Sequence, residues 1–177
     1  MHGLVSLLPS PFYAQVKSLW QELERDFGLT GIQVTPCPHF SWQIAEDYDF
    51  EKLATIVQEI TREIAPFVVR TTGLALFTGP SPVIYIPVVK TARMVELHAL
   101  LWERTAGASR DRSALYAPEN WMPHISVAYE DVDRKNIGPV MERLAFQTFN
   151  WEMTVDNVAL ICEPNAEIGQ LQFKFDL

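Results

Sequence analysis

Basic residues are the minority charge in this chain. Lysine and arginine total 14 against 22 aspartates and glutamates, giving a formal net charge of −8 and a pI near 4.9. Proteins that grip long nucleic acids draw much of their affinity from phosphate neutralisation by a basic face. A long nucleic-acid partner is therefore not expected, whereas a small nucleotide or a short oligonucleotide is admissible. Cysteine is scarce: Cys37 and Cys162 are the only two, too few and too widely spaced for a metal cluster or a disulfide framework. A reducing cytoplasm is the expected setting. The 8 glycines form no phosphate-cradling loop, which argues against an ATP-driven ligase. Apolar runs such as Val83 to Val89 fall far short of the roughly 20 residues a membrane span requires. The opening Met1-His2-Gly3-Leu4-Val5 has no basic signal-peptide region. With 4 histidines and neither a His-x-x-x-His nor a Cys-x-x-Cys, no metal site and no cofactor are expected.

What the chain does contain is one tetrapeptide written twice. Pro-His-x-Ser occurs at Pro38-His39-Phe40-Ser41 and again at Pro123-His124-Ile125-Ser126. Each copy sits in an apolar, strand-like run. Residues two apart on a strand point to the same face, so each copy presents an imidazole beside a hydroxyl. Two such faces around one space supply two proton-transfer groups and two hydroxyl donors, which is what metal-free hydrolysis of a phosphodiester needs. A single strand histidine would be read as a hydrogen-bonded core residue; the duplication favours a shared site.

Periodicity places the rest. Leu4 to Leu8 reads as a strand. Ser10-Pro11 reads as a helix start with serine as cap, and Phe12, Val16, Leu19, Trp20, Leu23 and Phe27 recur at helical spacing up to the stop at Gly28. Cys37 to Ala45 is the first motif strand. Asp49 caps a helix ending at Pro66. Phe67 to Phe77 and Val83 to Val89 form a hairpin around Thr78-Gly79-Pro80-Ser81-Pro82. Thr91 caps a third helix, Ala106 to Asn120 is a long polar loop, and Met122 to Tyr129 is the second motif strand. A short helix near Ile137 to Leu144 and strands at Phe149 to Ile161 and Gln170 to Phe175 complete the chain. Each half runs motif strand, helix, then a strand pair. The expected fold is thus α+β, one domain over residues 1–177 built of two similar lobes.

The two motifs, the segments Gly73 to Phe77 and Val83 to Val88, and the approach Tyr116 to Tyr129 resemble the 2H phosphoesterase superfamily, the 2′-5′ RNA ligase-like proteins. That resemblance implies a bilobal α+β fold with two antiparallel sheets, flanking helices, a pseudo-twofold axis and a central cleft. It also implies metal-independent action on 2′,3′-cyclic phosphates or 2′-5′ linkages. One departure stands out: a basic residue often follows a motif in the family, whereas here Trp42-Gln43 and Val127-Ala128-Tyr129 follow.

The expected chemistry is general acid–base catalysis by His39 and His124, one as base and the other as acid, because imidazole has both forms available near neutrality. Ser41 and Ser126 would donate to the non-bridging oxygens. Tyr85 and Trp121 are candidate substrate contacts, with sheet and core packing as their competing roles. Arg110 and Arg112, with Arg104, could swing over the cleft from the polar loop. His98 is assigned to helix packing, His2 to an exposed terminus, and Cys37 to a small buried hydrophobe bordering the cleft. The expected substrate is a small nucleotide or short oligonucleotide, and the expected protein is a monomer with no membrane partner. Two other functions remain open: a nucleotide-binding module with little turnover, and an RNA end-processing or ligating enzyme.

Overall fold

In the computed structural model, the described residues are 2–162 and 169–177; Met1 lies outside them. The chain runs β1 (His2–Leu7), α1 (Phe12–Phe27), β2 (His39–Tyr48), α2 (Phe50–Glu63), β3 (Phe67–Arg70), β4 (Ala75–Phe77), β5 (Val83–Pro87) and α3 (Ala92–Arg104). It continues with β6 (Ser109–Arg112), β7 (His124–Ala128), α4 (Ile137–Ala145), β8 (Glu152–Val155), β9 (Asn157–Cys162) and β10 (Gln170–Asp176). The strands form a five-stranded sheet ordered β10-β9-β1-β2-β6, a three-stranded sheet β4-β5-β7 and a two-stranded pair β3-β8. All of these pairings are antiparallel. The α+β class with antiparallel sheets and helices is the one the motifs pointed to.

Local chemistry explains most element ends. Asp49 accepts the Lys52 N–H at 3.1 Å to open α2, and Thr91 accepts the Met94 N–H at 3.2 Å to open α3. Gly28, at φ 71°, ends α1 with its N–H on the Glu24 carbonyl at 2.8 Å. Ser10 does not cap α1. The helix begins one residue later than expected, at Phe12, so Pro11 takes the cap position and no side chain caps the helix.

Two expected strands are each divided. Gly73, at φ 57°, breaks the run Phe67 to Phe77, so that β3 pairs with β8 while β4 pairs with β5. Asp156 likewise separates β8 from β9, which joins β1 and β10. The polar stretch 106–120 is not one loop. It contains β6, an edge strand on β2, flanked by 3₁₀ turns at Ala106–Ala108 and Ala114–Tyr116. Polar residues suit an edge strand, which faces water on one side.

The two motif strands belong to different sheets, β2 to the large one and β7 to the three-stranded one. One hydrophobic cluster connects them, with Phe40, Trp42, Trp121, Ile125 and Val127 all within it. Trp42 and Trp121 stack at 5.3 Å between ring centroids.

Candidate active site

His39 and His124 are the first residues of β2 and β7, and both are held in the same way. His39 Nδ1 donates to the Cys37 carbonyl at 2.7 Å, and His124 Nδ1 donates to the Met122 carbonyl at 2.7 Å. A carbonyl only accepts, so these bonds put the neutral imidazole's proton on Nδ1 and leave Nε2 to meet a ligand. The intervening prolines contribute. Lacking an N–H, and with the residue before them held extended, they let the chain turn its i−2 carbonyl onto the ring. Their own carbonyls are tied to neighbouring strands, Pro38 to Leu8 N–H at 3.1 Å and Pro123 to Val88 N–H at 3.0 Å.

The serines are matched as well. The Ser41 carbonyl accepts from Trp121 Nε1 at 2.9 Å, and the Ser126 carbonyl accepts from Trp20 Nε1 at 3.2 Å. Both strands are open on one side here, because β6 joins β2 only from Ala45 onward and β7 is the edge of its sheet. The indoles thus satisfy backbone acceptors that would otherwise be orphaned. The Ser41 hydroxyl is bonded to the Tyr116 phenol, whose pKa is raised by burial and pulled back by that bond. Tyr116 is itself fixed by His98, whose Nε2 donates to its carbonyl at 3.1 Å while the ring stacks 4.0 Å from Trp121. His98 is buried, in keeping with a packing role.

One cavity of about 560 Å³ brings the four motif residues together, with His39, Ser41, His124 and Ser126 all in its wall. Burial holds the His39 imidazole down to about 4, the Cys37 carbonyl opposing this and the charge of His124 adding to it. Burial also lowers His124, against the pull of the Met122 carbonyl. The charge of His124 is thus felt at His39 across the shared space. Among the described residues no group of three histidines, cysteines or carboxylates is placed to hold a metal ion.

The remaining expected contacts are placed differently. Tyr85, opposite Ser126 across β5 and β7, is 5% exposed; its ring stacks on Phe77 at 4.0 Å and meets His124 edge-on at 5.1 Å. It braces the histidine, while Phe77, on which it stacks, lines the cavity together with Trp20, Tyr116 and Tyr129. Trp121 is buried behind Ser41 and does not line the cavity. Arg110 pairs with Asp47 at 2.9 Å across the β2–β6 ladder. Arg112 donates to the Trp102 carbonyl at 2.6 Å with its guanidinium 4.0 Å over that indole, and Arg104 pairs with Glu59 at 2.8 Å. None of the three lines the cavity, because the segment that carries two of them is a paired strand. His2 is not an exposed terminal residue: it opens β1, is half-buried against Phe50 and lies in the cavity wall. Thr35, Tyr116 and Glu130 also line the cavity. No single-residue signal marked them, since loops bring them in.

A family model described as the 2′-5′ RNA ligase superfamily matches residues 9–166. No curated protein matches the sequence. Solved structures do resemble the chain. TT0787 of Thermus thermophilus is similar at 18% identity and a TM-score of 0.67, E. coli LigT complexed with 3′-AMP at 15% and 0.60, and Kluyveromyces marxianus Usb1 at 11% and 0.51. Each comparison covers 99% of this chain and 97% of the other. At these identities the likeness is one of fold.

Proposed function

This chain belongs to the 2′-5′ RNA ligase superfamily, and from that footing we propose that it is a phosphodiesterase that needs no metal, opening nucleoside 2′,3′-cyclic phosphates or cleaving short 2′-5′-linked oligonucleotides. The observation that carries this reading is the matched pair of histidines in one cavity, each with Nδ1 tied to a carbonyl two residues back. LigT of E. coli, a fold neighbour, was crystallised with 3′-AMP, a nucleotide of the size this cavity suits.

In this mechanism one Nε2 removes a proton from water as it attacks phosphorus. A new P–O bond forms, the bond to one ribose oxygen breaks, and the other Nε2 returns a proton to that oxygen. The product is a phosphomonoester. His39 is the more strongly held neutral, at about 4, which makes it the base, and His124 carries the proton as acid. A bound phosphodiester's negative charge favours the imidazolium form of His124. Ser41 and Ser126 donate to the non-bridging oxygens, where charge accumulates in the transition state.

The test is incubation of purified protein with 2′,3′-cyclic nucleotides and short 2′-5′-linked oligonucleotides in EDTA. Turnover is expected to survive chelation. His39→Ala and His124→Ala should each lose about 100- to 10,000-fold in rate. Activity that vanishes in EDTA, or persists in both variants, would overturn the reading. Mononucleotide binding without turnover, indifferent to His39→Ala, would mark a binding module instead.

A further inference from the structure

Apart from its histidines, the one lysine, arginine, aspartate or glutamate in the described cavity lining is a carboxylate. This is Glu130; among the described residues no lysine or arginine lines the cavity. Four cations outside the lining have partners: Lys17 lies over Trp20 at 5.1 Å, Lys90 over Trp121 at 5.7 Å, and Arg110 and Arg112 hold Asp47 and Trp102.

Glu130 is also held in an unusual backbone conformation. Its φ is 70°, in the left-handed region that glycine adopts readily and other residues seldom do. The chain around it is clamped. The Glu130 carbonyl accepts from Ser81 Oγ at 3.1 Å, and Asp131 N–H bonds back to the Tyr129 carbonyl at 3.0 Å. Asp131 Oδ2 then accepts the Thr30 and Gly31 N–H groups at 2.6 and 2.7 Å. A residue kept in a strained conformation by its surroundings, and the one carboxylate in the described cavity lining, is a candidate functional group. It is exposed and stands two residues past Ala128, the end of the strand that carries Ser126, which puts it at the rim.

We propose that Glu130 is an electrostatic filter at the cavity rim, restricting the substrate to a phosphodiester without a second phosphate, and so to a nucleoside 2′,3′-cyclic phosphate over its 5′-phosphorylated counterpart. This rests on the hydrolytic reading above. A phosphodiester brings one negative charge, which the imidazolium of the histidine pair balances. A second phosphate meets no cation there and faces the carboxylate. A hydroxyl or an amine in that place can instead donate to it.

The experiment compares kcat/KM for adenosine 2′,3′-cyclic phosphate with that for the same compound bearing a 5′-phosphate, in EDTA, at low and high salt. Variants are Glu130→Gln and, as a control, Glu142→Gln on the exposed face of α4. The protein should prefer the singly charged compound by about five- to twentyfold at low salt. That ratio should shrink several-fold in Glu130→Gln and at high salt, where the screening length falls to ~3 Å, and stay unchanged in Glu142→Gln. Equal use of both compounds, or a ratio indifferent to Glu130→Gln, would overturn the filter. Calorimetric binding of adenosine 2′-monophosphate against adenosine 2′,5′-bisphosphate separates the two claims. A preference for the monophosphate that disappears in Glu130→Gln, in a protein that hydrolyses neither substrate, keeps the filter and retires the hydrolase. Absence of that binding preference retires the filter whatever the turnover.

Discussion

At the scale of single residues, the proline in each tetrapeptide matters as much as the histidine. It stands between each histidine and the carbonyl that holds Nδ1, so that in the proposed reaction Nε2 is the nitrogen left for the substrate. The His39, Ser41, His124 and Ser126 positions were legible because period-two alternation is a local property of strands. Tyr116, Thr35, Phe77 and Glu130 were not, because their approach depends on how loops close. Tyr116 acts through Ser41, so Tyr116→Phe should lower kcat about fivefold, the worth of one hydrogen bond, with KM little changed. Ser41→Ala should cost about 100-fold or more. Combining the two should cost no more than Ser41→Ala alone, and steady-state kinetics that show the two losses multiplying would place Tyr116 on the substrate instead. The pH profile follows from the same residues. The base must be neutral, which holds above about 4 for His39, and the acid must be protonated, which holds below the lowered value of His124, itself under 6.5. The expected kcat/KM profile is a bell with its maximum on the acid side of neutrality; a maximum above pH 8 would contradict this assignment of roles.

At the scale of elements, the second motif strand is anchored by a contact that spans a hundred residues. The Asp131 carboxylate, just past β7, takes the Thr30 and Gly31 N–H groups where the 3₁₀ turn Gly31–Val34 begins. A Cβ on Gly31 would lie 2.0 Å from the Tyr129 carbonyl oxygen, an approach only glycine permits. Asp131→Ala should lose about 2 kcal/mol in urea unfolding, the cost of stranding the N–H donors. Gly31→Ala should lose at least as much, because its clash is with backbone, and should depress kcat by displacing the end of β7. A stable, fully active Gly31→Ala would show that this junction yields. The helices and their caps at Asp49, Thr91 and Gly28 were readable, since a cap is a bond between near neighbours. The breaks at Gly73 and Asp156, and the edge strand within 106–120, were not. They record a change of strand partner, and the partner lies far off in sequence.

At the scale of the whole molecule, one apolar cluster joins both motif strands to all four helices, and burial inside it sets the protein's response to acid. His39 and His98 are both held near 4 by desolvation. The unfolded chain takes up these protons near 6.5 while the native state resists until about 4, so stability is full above roughly pH 6.5 and falls as pH drops toward 4. For the deeply buried His98 the loss approaches about 3 kcal/mol. Urea midpoints at pH 7.5 and pH 5 should show the acid sample unfolding at the lower concentration; midpoints that coincide or reverse would remove buried neutral histidine as the cause.

The amino-acid order alone pointed to the histidine–serine pairs, the strands that carry them and the helix ends at Asp49, Thr91 and Gly28, because each depends on residues a few positions apart. The meeting of β2 and β7 around one cavity, the use of Arg110 and Arg112 in the β2–β6 edge, and the lone carboxylate at the cavity rim were decided by tertiary structure. These are distances between segments separated by tens of residues, and they follow from which apolar faces pack together.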